Sequence, residues 1–223
     1  MEFPWNFAIM DENIPRKRQG DLRNGGEAVF RLRVDEEILL RSPEKRDAKP
    51  IFALIDQSRD YLREWLPWLD STRRLDDTVA FIRSAEEEFS RKKSLTACIL
   101  YKGEIAGIIS YNYFDWYNRT TSIGYWLGES FQGKGIMTRA VAALTDFAFR
   151  ELKLNRVEIR AATGNKKSRA IPERLGFQRE GCLRQAEWLY DHYVDLVVYG
   201  MLAEEWEEKK RERIEKEGRG RKS

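Results

Sequence analysis

The chain has 223 residues, 42% of them hydrophobic, which is enough to bury the core of one domain carrying tails. Its net charge of +3 arises between Glu207 and Ser223, where eight Lys and Arg stand against five Glu, so residues 1–206 are formally neutral and no nucleic-acid-binding face is indicated. Two cysteines, Cys98 and Cys182, and one histidine, His192, leave no disulfide framework and no histidine-built metal site, and no apolar run approaches the ~20 residues of a helical membrane span.

The N-terminus, MEFPWNFAIMDENIPRKR, lacks the basic start and apolar core of a secretion signal, so a soluble cytoplasmic chain, monomer or homodimer, is expected. Residues 1–26 combine Pro4, Pro15, Arg16-Lys17-Arg18 and Gly20, Gly25 and Gly26 without periodicity, the composition of a mobile extension. A folded domain is expected over residues 27–206, and the mixed charges of residues 207–223 read as a solvated, frayed helix end. Val29–Arg41 alternates apolar and charged residues around Asp35-Glu36-Glu37, predicting two short strands or a hairpin. Apolar residues at helical spacing predict a helix from about Pro50 to Glu64, followed by an aromatic corner, Trp65-Leu66-Pro67-Trp68. A second helix is predicted over Asp76–Lys92, capped by Asp76 or Asp77. Strands Leu95–Tyr101 and Glu104–Tyr113 flank Lys102-Gly103 as a two-residue hairpin turn, and a polar aromatic loop, Phe114–Thr121, follows. Then come a strand at Ile123–Leu127, a glycine turn, a helix from Ile136, a strand at Asn155–Ala162 and a short helix ended by Gly176. Two last strands, Gln178–Glu187 and Tyr193–Met201, meet near Tyr190-Asp191-His192. This order suits an α/β (α+β) fold, a mixed, mainly antiparallel sheet flanked by helices.

The turn Gly128-Glu129-Ser130-Phe131-Gln132-Gly133-Lys134-Gly135 joins a strand to a helix N-terminus, whose unpaired N–H groups and positive dipole end suit a phosphate. It fits the first seven positions of the triphosphatase P-loop, but Gly135 occupies the place of the magnesium-holding hydroxyl, so no metal is expected. Gln132-x-x-Gly135-x-Met137 resembles instead the Q/R-x-x-G-x-G/A pyrophosphate loop of the GCN5-related N-acetyltransferases, although Met137 departs from the last position. The run Tyr125-Trp126-Leu127 with Gln132-Gly133-Lys134-Gly135-Ile136-Met137-Thr138, the Leu62-x-x-Trp65-Leu66-Pro67-Trp68 string and the Asn165-x-x-Ser168-x-x-Ile171-Pro172-Glu173-x-Leu175-Gly176-Phe177 string are similar to the branch that acetylates ribosomal-protein N-termini.

The resemblance implies a splayed central strand pair with the pantetheine arm of acetyl-CoA in the gap, against the exposed backbone of Tyr125, Trp126 and Leu127. It implies a pyrophosphate on Gln132, Gly133, Lys134, Gly135, Ile136, Met137 and Thr138, an acceptor pocket walled by Trp65 and Trp68, and a contact from Asn165 to the pantetheine. In the wider family a tyrosine protonates the departing sulfur; Pro172 stands at that position here, and the branch's string offers Ser168, which otherwise reads as a cap or cofactor contact. Glu187 or Glu180, both on the late strand pair, can take the proton of the acceptor if it faces the pocket, and is otherwise a solvated strand residue. The implied activity is acetyl transfer from acetyl-CoA to a primary amine, with a ribosomal-protein N-terminus favoured and a polyamine, antibiotic or amino acid as the alternative. An acyl-CoA-binding module without activity is the reading outside enzymes.

Overall fold

In a computed structural model, residues 23–24 and 27–220 are described, with side chains for residues 29–212. The greater part of the expected N-terminal extension lies outside these residues. Two-residue strands β1 (Arg23–Asn24) and β2 (Glu27–Ala28) pair with each other. The main sheet holds β3 (Arg31–Arg33), β4 (Ile38–Arg41), β5 (Leu95–Tyr101), β6 (Glu104–Asp115), β7 (Thr120–Leu127), β8 (Arg156–Ala162), β9 (Gln178–Leu189) and β10 (His192–Leu202). Its order is β3-β4-β5-β6-β7-β8-β10-β9, and the β7–β8 pair is parallel while its other neighbours are antiparallel. The helices are α1 (Ala48–Gln57), α2 (Arg59–Arg63), α3 (Leu75–Ser90), α4 (Ile136–Arg150), α5 (Lys166–Leu175) and α6 (Ala203–Gly220).

Strand alternation divides the core into two layers. Ile109, Tyr111 and Ile123 pack with Ala140, Val141, Leu144 and Ala148 of α4, and the Tyr111 hydroxyl donates to the Leu144 carbonyl within that layer. On the opposite layer, Cys98 and Ile108 meet Ile51 and Ile55 of α1 and Ile82 of α3. The Lys102-Gly103 turn has φ of +52° and +90°, the positive pair that a two-residue hairpin matching the strand twist requires.

The mixed sheet flanked by helices matches the expectation, including the splay. The β7–β8 register consists of Thr120–Arg156, Thr121–Val157 and Ser122–Glu158, yet β7 runs on to Leu127 and β8 to Ala162. Beyond Ser122 each strand keeps only its outer neighbour, β6 or β10, and a gap opens between them.

Several boundaries differ from the sequence expectation. The single helix over 50–64 is two, α1 and α2, broken at Ser58, whose buried hydroxyl accepts the N–H of Glu129 at 3.1 Å and so ties the break to the glycine turn. Helix α3 starts at Leu75 behind Arg74, and Asp77 caps it from the third position by accepting the N–H groups of Arg73 and Arg74. The expected loop 114–121 shortens to Trp116–Arg119, because β6 extends past an irregularity between Tyr111 and Phe114 and Phe114 stacks on Trp116 at 4.7 Å. Helix α6 begins inside the folded unit: Trp206 is buried, Arg150 of α4 forks onto Glu207, and Lys210 pairs with Asp146.

Candidate active site

After β7 the chain makes one 3-10 turn, Glu129–Phe131, and two residues in the left-handed region, Gly133 (φ +74°) and Gly135 (φ +69°), before α4 begins. That conformation costs an L-residue about 1–2 kcal/mol and glycine nothing comparable, which accounts for the glycine spacing. Gly135 is the N-cap of α4, so the N–H groups of its first turn point out of the helix toward the gap. Ile136 and Met137 are buried in the core beneath the turn. A side chain at Met137, where the family loop has a small residue, is accommodated by that core.

A cavity of about 840 Å³ runs along this turn and the gap, bounded by Gln132–Thr138 on one side and by α5 on the other. Its lining includes four cations, Lys134, Lys166, Lys167 and Arg174, and no carboxylate among the described residues. Two of them reach across the cleft: Lys167 Nζ donates to Gln132 Oε1 at 2.8 Å and lies 5.2 Å over the Tyr61 ring, and Arg174 donates to Thr138 Oγ1 at 2.6 Å. The Gln132 Nε2 atom is buried with no partner, a donor left for a ligand. Outward N–H groups, a helix dipole, an unused amide donor and unopposed cations together fit a polyphosphorylated ligand. A mononucleotide P-loop would add a hydroxyl for magnesium; Gly135 supplies none, and no cluster of three metal-type ligands exists among the described residues.

A second cavity, about 590 Å³, lies on the α1–α3 side and shares Trp65, Leu66, Tyr125, Trp126, Asn165 and Ser168 with the first. The two therefore meet at the splayed strands. Trp65 and Trp68, from the segment after α2, line this second cavity, and the Trp68 ring centroid is 6.2 Å from that of Trp126. Glu187 reaches it from β9, half-buried and without an ion pair or hydrogen bond among the described residues. Burial pushes its carboxyl above the usual range. The other charged lining residue, Arg160, donates through Nε to Glu158 at 2.5 Å.

Glu180, the other candidate base, lies outside both cavities. It takes both terminal nitrogens of Arg156, which hold its carboxyl below the usual range. Gly200 on the intervening β10 makes that pair possible, since a Cβ there would meet Glu180 Oε1 at 2.2 Å and Arg156 at 2.6 Å.

Ser168 is at the junction of the cavities. Its N–H donates to Asn165 Oδ1 at 3.0 Å, which is the α5 N-cap, and its carbonyl accepts from the Tyr125 hydroxyl at 3.0 Å. Its own hydroxyl has no partner among the described residues. Asn165 thus caps the helix and lines both cavities at once. Desolvation holds the Tyr125 phenol far above its usual range, so it stays protonated. Sequence reasoning missed Tyr61, Lys167, Arg174 and Arg160. Lys167 and Arg174 carried a signal, a seven-residue spacing that places both on one face of α5 beside the glycine turn.

The acetyltransferase (GNAT) domain family matches residues 37–178. The Bacillus subtilis (strain 168) protein YdaF is 39% identical over 183 residues, which cover 82% of this chain and 100% of YdaF. The ribosomal-protein-serine acetyltransferase of Escherichia coli (strain K12) is 32% identical over 171 residues, covering 77% of this chain and 96% of that one. Among solved structures, the microcin C7 self immunity acetyltransferase MccE, in complex with acetyl-CoA and AMP, is similar with a TM-score of 0.74 and 35% identity, covering 77% of this chain and 95% of the other. The family match begins in the β3–β4 turn and ends at the start of β9, spanning the splayed strands, the glycine turn and α5. On that extent of agreement, the chain belongs to the GNAT family and is an acetyl-CoA-dependent N-acetyltransferase.

Proposed function

We propose that the acceptor is the N-terminal α-amino group of a protein, of the kind that ribosomal-protein acetyltransferases modify. The observation that carries this reading is the charge of the second cavity. Among the described residues its charged lining consists of Glu187 and Arg160, and Arg160 is already paired. Polyamines and aminoglycosides carry several positive charges and call for several carboxylates; one carboxylate in an aromatic cavity suits a single amine. An α-amino group, with a pKa near 7.7–8.0, is already about a tenth neutral at pH 7, so one base of modest strength suffices. The 32% identity to the ribosomal-protein-serine acetyltransferase supports the same acceptor.

Acetyl-CoA supplies the acetyl group as a thioester. In this proposal the residues Gln132–Thr138, with Lys167 and Arg174, hold the phosphates, and the β8-facing backbone of Tyr125–Leu127 holds the pantetheine. Glu187 removes the proton of the acceptor ammonium, directly or through water. A backbone N–H at Trp126 or Leu127 steadies the carbonyl oxygen as negative charge builds on it. Ser168 offers its unpartnered hydroxyl to the departing sulfur.

A second reading, an amine borne on a small nucleotide, is favoured by the indole faces of Trp65 and Trp68 and by the 35% identity to MccE. CoA release from acetyl-CoA, measured with peptides beginning Ser, Ala and Thr beside spermine, an aminoglycoside and a non-hydrolysable aminoacyl adenylate, separates the possibilities. Turnover of peptides above all others is expected; turnover confined to spermine, the aminoglycoside or the adenylate overturns the N-terminal reading.

A further inference from the structure

The β9–β10 hairpin carries Glu187 on one wall of the acceptor cavity, and its tip is fastened to the other wall. Tyr190 donates its hydroxyl to the Leu66 carbonyl at 2.5 Å. The Arg63 guanidinium lies over the Tyr190 ring, 3.9 Å from its centroid. Arg63 is in turn held by a two-pronged pair with Asp70, at 3.0 and 2.8 Å. The tip is therefore clamped to the stretch from Arg63 to Asp70, which presents Trp65 and Trp68 to the cavity.

The backbone gives a second, independent observation. Tyr190 has φ of +55° and Gln185 has φ of +48°, both in the left-handed region that favours glycine and asparagine. Gln185 marks the irregularity at which the pairing skips from Val194 to Leu196, and its N–H is taken by Asp195 Oδ1 at 2.8 Å. Glu187 thus stands between two bends, and bulges of this kind re-aim side chains. A glycine would close the turn at lower conformational cost but would not reach Leu66. The tyrosine keeps a strained backbone together with a contact 124 residues away in the chain.

We propose that Tyr190 is a positioning residue for the acceptor: by tying the hairpin tip to Leu66 it fixes the separation of the Glu187 carboxylate from the Trp65–Trp68 wall. It lines neither cavity, so it acts through Glu187 and the tryptophans. The inference rests on the reading that the Glu187-lined cavity receives the acceptor amine.

Tyr190→Phe keeps the ring under Arg63 and removes only the hydroxyl; Arg63→Gln keeps the hydroxyl bond and removes the cation. The probe is a hexapeptide beginning with Ser, at saturating acetyl-CoA. Losing one hydrogen bond of about 1 kcal/mol predicts that Tyr190→Phe raises the peptide KM about fivefold, with acetyl-CoA Kd unchanged by calorimetry. Arg63→Gln moves KM the same way by less. Amide exchange, which needs no turnover, rises together in residues 65–69 and 187–192 of Tyr190→Phe. An unchanged peptide KM, or unchanged exchange in either segment, overturns the proposal. So does a fall in Tm accompanied by equal losses toward peptide and acetyl-CoA, which assigns Tyr190 to stability alone. Glu187→Gln distinguishes the two levels: if it lowers kcat/KM and Tyr190→Phe does not, the tie alone fails, and if neither variant alters peptide kinetics, the assignment of the cavity fails with it.

Discussion

Gly135 allows the phosphate-holding role of the turn to be tested with charge separated from shape. Its φ is +69°, and a Cβ built there meets no atom within 4 Å, so substitution creates backbone strain and no clash. Asparagine and aspartate tolerate the left-handed region better than other non-glycine residues and are nearly the same size. Gly135→Asn and Gly135→Asp therefore share their strain and differ by one negative charge. A carboxylate about 5 Å from one phosphate charge is repelled by roughly 3 kcal/mol at an effective dielectric of 20. Gly135 is exposed, so solvent and salt reduce this to roughly 1.5–2.5 kcal/mol, a factor of about 10–70 in affinity. Calorimetry in low salt should show acetyl-CoA Kd within about fivefold of the parent for Gly135→Asn and another ~10–70-fold weaker for Gly135→Asp. Acetyl-pantetheine, which lacks the pyrophosphate, should bind both variants alike. Equal acetyl-CoA affinity for the two variants would refute the placement of phosphate at this turn, because nothing but the charge separates them.

Ser168→Ala should lower kcat and kcat/KM for the amine together, by about ten- to a hundredfold, while acetyl-CoA Kd holds; a kcat within twofold of the parent, with chemistry shown to be rate-limiting, removes the hydroxyl from the reaction. Glu187→Gln should lower kcat/KM and abolish the acidic limb of its pH profile, a limb that in the parent lies above the usual carboxyl range because burial raises the Glu187 pKa. A carboxyl raised on folding favours the native state below its unfolded pKa and loses that contribution as pH rises through its folded pKa, so thermal melts should find Glu187→Gln no less stable than the parent at pH 7 and relatively less stable near pH 4. Binding of acetyl-CoA should be unaltered by EDTA, since Gly135 stands where a P-loop places its magnesium ligand; loss of binding on chelation returns the triphosphatase reading.

The strand, glycine turn and helix N-terminus proposed to hold the cofactor were legible in the sequence as structure because they are consecutive. Strand, glycine turn and helix N-terminus lie between Ile123 and Arg150, and a phosphate is held mainly by backbone groups whose direction follows from local conformation. The hairpins and the order of elements were legible for the same reason, each resting on a short pattern of alternation or a turn pair. What was misread had a distant partner. The unbroken helix 50–64 fails at Ser58, where a hydroxyl serves the N–H of Glu129, and no propensity at position 58 announces a bond to position 129. Glu180 and Glu187 look alike on one predicted strand. They are separated by Gly200, which leaves room for Arg156 to reach Glu180 over β10, and by the bulge at Gln185, which changes the facing of the strand before Glu187.

The acceptor half is written almost wholly in such distant pairings, and this has a consequence for specificity. Trp65 and Trp68 precede β5, Glu187 follows α5, and the tie between their walls is one tyrosine on a strained turn, through its hydroxyl to Leu66 and its ring to Arg63. The glycine turn proposed to hold the cofactor is, by contrast, held by the core through Ile136 and Met137 and by Ser58 through Glu129. The Trp65–Leu69 wall is itself packed, with Leu69 buried and Leu66 and Trp68 against the core under α1 and α3, so the exposed hairpin tip is the part that shifts more readily, since the free energy opposing local opening follows the contacts broken. Substitutions that loosen the tip should therefore alter which amines are accepted before they alter acetyl-CoA affinity. In variants selected for a new acceptor, changes at Arg63, Asp70, Gln185 and Tyr190 should outnumber changes in Gln132–Thr138, and the opposite distribution would show that the two halves are not mechanically separate.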